Sequence, residues 1–370
     1  MDAFRRILSS RLLSIWNTPV HRIRPPAFRH LLELGQWVYL QCLRHDQVRK
    51  LRRRRSLPAM VVSVGNLAVG GAGKTPFTLW LSGLLTSRGQ PHAILTRGYG
   101  GSGKSHRLVP PSGDTRELAR RMGDEPVLMS RSVPSVPVWV GRERWISGSC
   151  ALSQSALKCL LMDDGFQHLQ LHRDLDLVLL NARNPFGNGS LLPLGPLREP
   201  ITNFRRADAL ILTRADRPHE VAGLRASLES LFPRKPIFSC RHVLIGFRAG
   251  MEGPVLPAAH LAGHPVVAFA GLANNRDFFE LLECCGISLT GRREYPDHHW
   301  YTPADLEELL SFSTKSSGKF LITTEKDAIR LPAPFRSAVF TASLRLDFGE
   351  ERDRLIGYLE SRLPFLRHAS

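Results

Sequence analysis

No two cysteines of this chain stand as a CxxC pair, and the six of them (Cys42, Cys150, Cys159, Cys240, Cys284 and Cys285) are scattered. That spacing excludes a zinc ribbon and a disulfide framework, and it suits a reducing cytoplasm. No apolar run approaches the roughly 18 residues of a conventional spanning helix. The N-terminus lacks the short apolar core and small-residue cleavage site of a signal peptide, so the chain is expected to stay inside the cell. There is no internal repeat, and no low-complexity tract beyond one arginine run. Acidic residues are in deficit: 33 Asp and Glu face 50 Lys and Arg, leaving +17 across 370 residues.

What is present points to a folded protein. A hydrophobic share of 43% and a charged share of 22% suit a chain that buries a core, and the length suits two domains. Much of the positive excess lies in residues 1–55, where twelve arginines and Lys50 face only Asp2, Glu33 and Asp46, a local net of +10. Such an arm calls for a polyanion. The stretch HLLELGQWVYLQCL between Arg29 and Arg44 has a broad apolar face when read as a helix. Trp37 and Tyr39 form an aromatic pair suited to a headgroup boundary. The run Arg49, Lys50, Arg52, Arg53, Arg54 and Arg55 follows, and each basic residue near an anionic leaflet contributes about 1 kcal/mol. The expected partner is therefore an anionic membrane surface; a helix packed on its own domain is the plainer reading. No zinc-finger spacing, RNP-like strand or heptad supports nucleic acid, and nothing points to an obligate protein partner.

The remainder alternates strands and helices. Short, continuously apolar runs are expected as strands at 60–64, 93–96, 136–140, 157–162, 175–180 and 209–213, a pattern that implies a parallel sheet covered on both faces. A second set follows at 237–239, 266–270, 320–324 and 338–341, with helices near 276–285, 303–313 and 351–362. The fold class is therefore α/β: a P-loop NTPase-like, mainly parallel sheet domain with a second, smaller α/β domain. The expected divisions are a basic amphipathic arm at 1–55, a P-loop domain at 56–220 and the smaller domain at 221–370, bounded by the Pro-rich stretch around 216–236.

The strongest local signal runs from Val61 to Pro76, VVSVGNLAVGGAGKTP. A strand enters a Gly-rich turn, and Lys74-Thr75 opens a helix whose first residue is expected to be Pro76. Glycines let the backbone N–H groups of Gly70, Gly71, Ala72 and Gly73 curl around phosphate oxygens, with the helix N-terminus adding its positive end. Lys74 would reach the β- and γ-phosphates of a nucleotide and the Thr75 hydroxyl would ligate Mg²⁺. The chain departs from GxxxxGK[ST] at Ala68, where the pattern has glycine. The apolar strand at 157–162 then ends in Asp163-Asp164, as a Walker B element does, and a carboxylate there holds Mg²⁺ directly or through water.

An ordered series of further motifs resembles the tetraacyldisaccharide 4′-kinase family over roughly residues 58 to 330. It comprises Gly65-Asn66, Thr96-Arg97-Gly98-Tyr99-Gly100, Gly123-Asp124-Glu125-Pro126 and Asp163-Asp164-Gly165-Phe166-Gln167-His168. Phe186-Gly187-Asn188-Gly189, the segment Leu192–Glu199, Ala270–Asn274, Pro296-Asp297-His298 and Thr324–Ala328 complete it. The resemblance implies transfer of the γ-phosphate of ATP, with Mg²⁺, to the 4′-hydroxyl of an acylated disaccharide. That substrate lies in the cytoplasmic leaflet of the bacterial inner membrane, which places the enzyme there as a peripheral protein. It implies Asp124 as the base, assisted by His298. Softer expectations attach to neighbours: Glu125 in the Mg²⁺ shell, Gln167 and either Arg142 or Arg144 on phosphate, and Tyr99, Arg97 and Asn188 on the sugar. Because Asp124 and His298 fall in different expected domains, hinge closure is expected to join them. The alternative is a P-loop GTPase or metallochaperone-like NTPase, on the strength of Thr213-Arg214-Ala215-Asp216, which weakly resembles the [NT]KxD guanine-reading motif.

Overall fold

The computed structural model describes residues 14–102 and 106–367, so residues 1–13 of the expected basic arm lie outside the described residues. The chain packs into two compact units, each drawn from separate stretches. One takes the chain up to Leu95, then Arg144–Arg241 and the segment from Phe348; the other takes Thr96–Glu143 and His242–Asp347.

In the first unit six parallel strands lie in the order His92–Thr96, Cys159–Asp163, Met60–Asn66, Leu175–Asn181, Ala209–Thr213 and Ile237–Ser239. Nearly every residue in the central strands is buried, the pattern of a sheet covered on both faces. Phe166, Val178, Leu180, Phe204, Leu210 and Leu212 form part of one continuous core there. The register sets Val64 opposite Asp163 and Asn66 opposite Leu179, so the acidic strand end and the glycine-rich turn leave the same edge of the sheet.

The helix Pro26–Arg52 belongs to this unit and runs on through much of the arginine run. Its inner face is fixed by named bonds: Gln36 Oε1 accepts from the Leu191 N–H at 2.8 Å, and Gln47 Nε2 donates to Glu199 at 2.8 Å. Tyr39 also faces inward, its hydroxyl donating to the Arg198 carbonyl at 2.8 Å, so the expected aromatic pair is split. Trp37 alone stays outside, 60% exposed, in a stripe with Leu31, Leu34 and Val38.

The second unit carries a five-stranded sheet in the order Leu289–Glu294, Val266–Ala270, Phe320–Thr324, Phe340–Asp347 and Arg241–Ala249. The helices Thr115–Met122 and Asp124–Ser132 also belong to it. Its interior holds an unusual charge pair: Arg330 and Asp327 are both fully buried and 2.8 Å apart. Asp327 Oδ1 also accepts from the Tyr301 hydroxyl at 2.9 Å and the Gly271 N–H at 3.0 Å, while Oδ2 accepts from Thr324 at 2.6 Å. The guanidinium also donates to the carbonyls of His299 and Gly271 and, through Nε, to that of Lys326.

The division differs from the single boundary expected near 220. The chain leaves the P-loop unit after His92–Thr96 and returns at the helix Arg144–Gln154, so residues 96–143 belong with 242–347. Conversely, the strand Ile237–Ser239 and the helix Glu351–Arg362, expected in the later domain, belong to the first unit. The Pro-rich stretch is a helix, Pro218–Leu231, because Pro218 sits at the helix start where its missing N–H costs nothing. An insertion of this kind leaves no single shift of composition.

The buried pair gives a test. Replacing one partner leaves the other charge without compensation, so Asp327→Asn should lower unfolding stability by about 3–5 kcal/mol. Urea denaturation measures it, and a loss below about 1 kcal/mol would mean the network is not what holds this unit together.

Candidate active site

The phosphate loop is shaped by two left-handed glycines. Gly70 has φ 119° and Gly73 has φ 76°, the second forming the N-cap of the helix Lys74–Ser87. A side chain would be strained at Gly73, which is why glycine precedes the lysine. The helix opens at Lys74 rather than at Pro76, and the proline falls within the first turn, where its N–H would have no helical partner anyway. Lys74 Nζ is held by Asn66 Oδ1 at 3.1 Å and by Asp164 at 3.4 Å. Asn66 in turn donates to the Ala68 carbonyl at 2.6 Å, which braces the turn at the position that departs from the glycine pattern.

The two carboxylates after the acidic strand have separate tasks. Asp163 is buried and accepts from Thr78 on the P-loop helix at 3.0 Å, locking helix to strand. Asp164 turns out of the strand with φ 50° and is gripped by Lys74 and by Arg198, whose Nη1 lies 3.1 Å from both its oxygens. Burial alone would raise the Asp164 pKa, but Lys74 and Arg198 outweigh it and hold the carboxyl far below the usual range. Gln167 is anchored close by, its Nε2 donating to the Asn66 carbonyl at 2.9 Å. On the other side of the loop, Thr213 Oγ1 donates to the Ala72 carbonyl at 3.0 Å and Arg214 lies over Gly71.

The second unit carries its own polar cluster. Asp124 opens the helix Asp124–Ser132 and is buried; its Oδ2 lies 2.8 Å from His298 Nδ1. Its other oxygen accepts from the Glu125 N–H at 2.9 Å, and Arg330 Nε stands 3.6 Å away. Burial would raise the Asp124 pKa, yet the His298 hydrogen bond and the charge that ring carries when protonated, with Lys326 and Arg330, bring it down to about 2. Gly123 (φ 97°) precedes it because a Cβ there would lie 2.6 Å from the Tyr99 carbonyl. His298 is itself left-handed at φ 58°, its ring 5.5 Å from that of Tyr99. Lys326 Nζ lies 3.3 Å from His298 Nε2 and 3.2 Å from Glu125. Because Asp124 and His298 belong to one unit, their pairing needs no hinge closure.

Other expected site residues fare differently. Glu125 is in the second unit and is ion-paired with Lys326, whereas Thr75, Asp163 and Asp164 belong to the first. Arg142 is exposed in the second unit, and Arg144 is buried at the start of a first-unit helix. Arg97 is exposed, and so is Tyr99 at 67%. Asn188 shapes its own loop: Nδ2 donates to the Leu194 and Ile15 carbonyls and Oδ1 accepts from the Ser190 N–H. Asn66 and Lys326 received no role from the sequence, although each lies in a quoted motif; only their side-chain partners give them one, as Asp164 does for Arg198.

A family model described as tetraacyldisaccharide-1-P 4′-kinase matches residues 29–363. The tetraacyldisaccharide 4′-kinase of Syntrophobacter fumaroxidans is 46% identical over 97% of this chain and 94% of its own length. The chain belongs to the tetraacyldisaccharide 4′-kinase family. Another member, from Syntrophus aciditrophicus, is 38% identical over 90% of this chain and 92% of its own. Among solved structures, that of LpxK from Aquifex aeolicus, described as an "apo" form in complex with ATP, matches with a TM-score of 0.70. It is 29% identical and covers 91% of this chain and 99% of its own.

For this family member the Asp124 shift has a readable consequence. A carboxyl whose folded pKa is depressed stabilises the fold above its unfolded value and loses that contribution as pH falls through the folded one. The stability gap between wild type and Asp124→Asn should therefore narrow as pH drops from about 4 towards about 2. Thermal unfolding across that range checks it; a gap independent of pH would show that Asp124 is not held ionised.

Proposed function

We propose that this kinase transfers the γ-phosphate of ATP to the 4′-hydroxyl of a tetraacyldisaccharide 1-phosphate, with the residues of each unit in the following roles. The observation that carries the reading is Lys74, the P-loop lysine of a chain in this family, held between Asn66 and Asp164. The N–H groups of Gly70–Gly73 and the helix start cradle the phosphates, and Lys74 meets the β- and γ-oxygens. Arg198 keeps Asp164 from pulling Lys74 wholly to itself. The donors available for a metal are hard oxygens, from Thr75, Asp163 and Asp164, and few in number, which suits Mg²⁺. Bound there, the ion would neutralise charge on the β- and γ-oxygens. Gln167, fixed to Asn66, faces the same end of the loop.

Asp124 is the acceptor for the sugar hydroxyl proton, and His298 orients it. A pKa of about 2 makes Asp124 a weak base, but it guarantees a carboxylate at neutral pH. In a loose phosphoryl-transfer transition state little is asked of the nucleophile beyond alignment, so an always-ionised acceptor suffices. Tyr99, exposed beside His298, offers a flat face to a sugar ring, and Arg97 a charge to the substrate's existing phosphate.

The helix Pro26–Arg52 supports peripheral docking on an anionic membrane, at the cytoplasmic face of the inner membrane where such a substrate resides. Its outer stripe of Leu31, Leu34, Trp37 and Val38 is exposed while its inner face is bonded to the protein, and Arg44, Arg49 and Arg52 accompany the stripe. No helix among the described residues is long and apolar enough to cross a membrane. The GTPase alternative is not favoured, since the family match is to a kinase and the motif from Thr213 carries arginine where lysine belongs.

The reading is tested with γ-labelled ATP and a tetraacylated disaccharide monophosphate in mixed micelles. Wild type should transfer label, and Lys74→Ala and Asp124→Asn should each lose about 10²-fold or more in kcat. Failure of wild type to transfer despite ATP binding would overturn the substrate. Separately, Leu34→Glu with Trp37→Glu should abolish co-flotation with anionic vesicles while leaving ATP affinity unchanged; persistent flotation would remove the helix from the account.

A further inference from the structure

The T-E-K-D segment of the second unit has no part yet in the chemistry, although its lysine reaches the imidazole beside the proposed proton acceptor. Lys326 lies on the four-residue helix Glu325–Ala328, whose N-cap Thr324 accepts from the Asp327 N–H. Asp327 is itself fixed by Arg330, Tyr301 and Gly271, so the backbone under Lys326 is anchored by a buried polar network of the unit. The side chain ends among three acceptors: Glu125 Oε1 at 3.2 Å, His298 Nε2 at 3.3 Å and Asp297 Oδ1 at 3.5 Å. An ammonium has three hydrogens and no lone pair, so it can only donate to them. Burial disfavours its charge, but Glu125, Asp297 and Asp124 more than compensate and keep it protonated.

That fixes the imidazole. With Lys326 donating, Nε2 of His298 must be the bare, accepting nitrogen; Nδ1 then carries the hydrogen and points it at Asp124 Oδ2, 2.8 Å away. We propose that Lys326 is a positioning residue, whose ammonium fixes His298 as the neutral Nδ1–H tautomer that orients Asp124. The proposal rests on the reading of Asp124 as proton acceptor. It adds that His298 does not take the substrate proton itself. Its free nitrogen is covered by a cation, so the hydroxyl proton passes to the Asp124 carboxylate as the new O–P bond forms and the bond to ADP breaks.

Imidazole ¹⁵N spectra of the full-length protein, with His298 assigned through His298→Gln, read the tautomer directly. At about neutral pH the wild type should show a protonated Nδ1 and a bare Nε2. Lys326→Met should lose this pattern, whereas Lys326→Arg, which keeps a cationic donor, should retain it. In the transfer assay Lys326→Met should lower kcat on the order of 10-fold or more with the ATP KM little changed, and Lys326→Arg should recover most of the loss. A wild-type ring protonated on Nε2, or a spectrum indifferent to Lys326→Met, would overturn the proposal, and the wild-type spectrum decides even if the methionine variant does not fold. Full transfer by Asp124→Asn would instead sink the acceptor reading while leaving the tautomer result intact.

Discussion

A carboxylate wholly or partly withdrawn from water must be met by a cation or by a set of donors, and three aspartates of this chain organise the rest by how they are met. Asp164 takes Lys74 and Arg198, Asp124 takes His298 and Arg330, and Asp327 takes Arg330, Tyr301, Thr324 and the Gly271 N–H. In each case the geometry of the partner, not merely its charge, becomes fixed. Lys74 is aimed at the mouth of the phosphate loop because Asp164 and Asn66 share it. His298 is aimed at Asp124 because Lys326 covers its other nitrogen.

These groups are graded in their exposure to water. Asp327 and Arg330 are sealed, so their pair is structural, and neither can change partners without an unpaired buried charge. Asp124 is nearly sealed, yet its partner His298 is partly open and stands beside the exposed Tyr99, so one edge of the cluster is open to solvent. Asp164 and Lys74 are partly exposed, so their pair can open to solvent without stranding a buried charge. Arg330 joins two of these levels: its Nη2 bonds Asp327, and its Nε, which donates to the Lys326 carbonyl, stands 3.6 Å from Asp124 as an ion pair. The position of the proposed proton acceptor is thereby set by the core of its own unit.

Much of this was legible in the chain. The strand expected at 60–64 and found at Met60–Asn66, the glycine-rich turn before Lys74 and the Asp163-Asp164 strand end are local features, and local features announce themselves through composition and spacing. The pairing of Asp124 with His298 was legible only through family resemblance, since the two are separated by 174 positions. Three things were not legible. The insertion of residues 96–143 into the other unit leaves no compositional seam, because both units are built of the same apolar strands. Tyr39 looks like an interfacial aromatic on a helical wheel, and only the Arg198 carbonyl shows that it faces inward. Arg198 itself sits in a Gly/Pro-rich loop, where arginine is usually solvated; its role comes from Asp164.

The bond between Tyr39 and Arg198 bears on how the helix Pro26–Arg52 is to be understood. Arg198 presents its carbonyl to that helix and its guanidinium to Asp164, and the next residue, Glu199, is fully buried while accepting from Gln47 of the same helix. The helix that carries the apolar stripe is thus also a strut for the loop that neutralises the P-loop carboxylate. Deleting it would remove Tyr39 and Gln47 along with Leu34 and Trp37, and would leave Glu199 buried with one donor fewer. Loss of activity in a truncated chain therefore cannot be assigned to loss of lipid contact. Outer-face substitutions separate the two effects, because Leu31, Leu34 and Trp37 point away from the bonds that hold Arg198 in place.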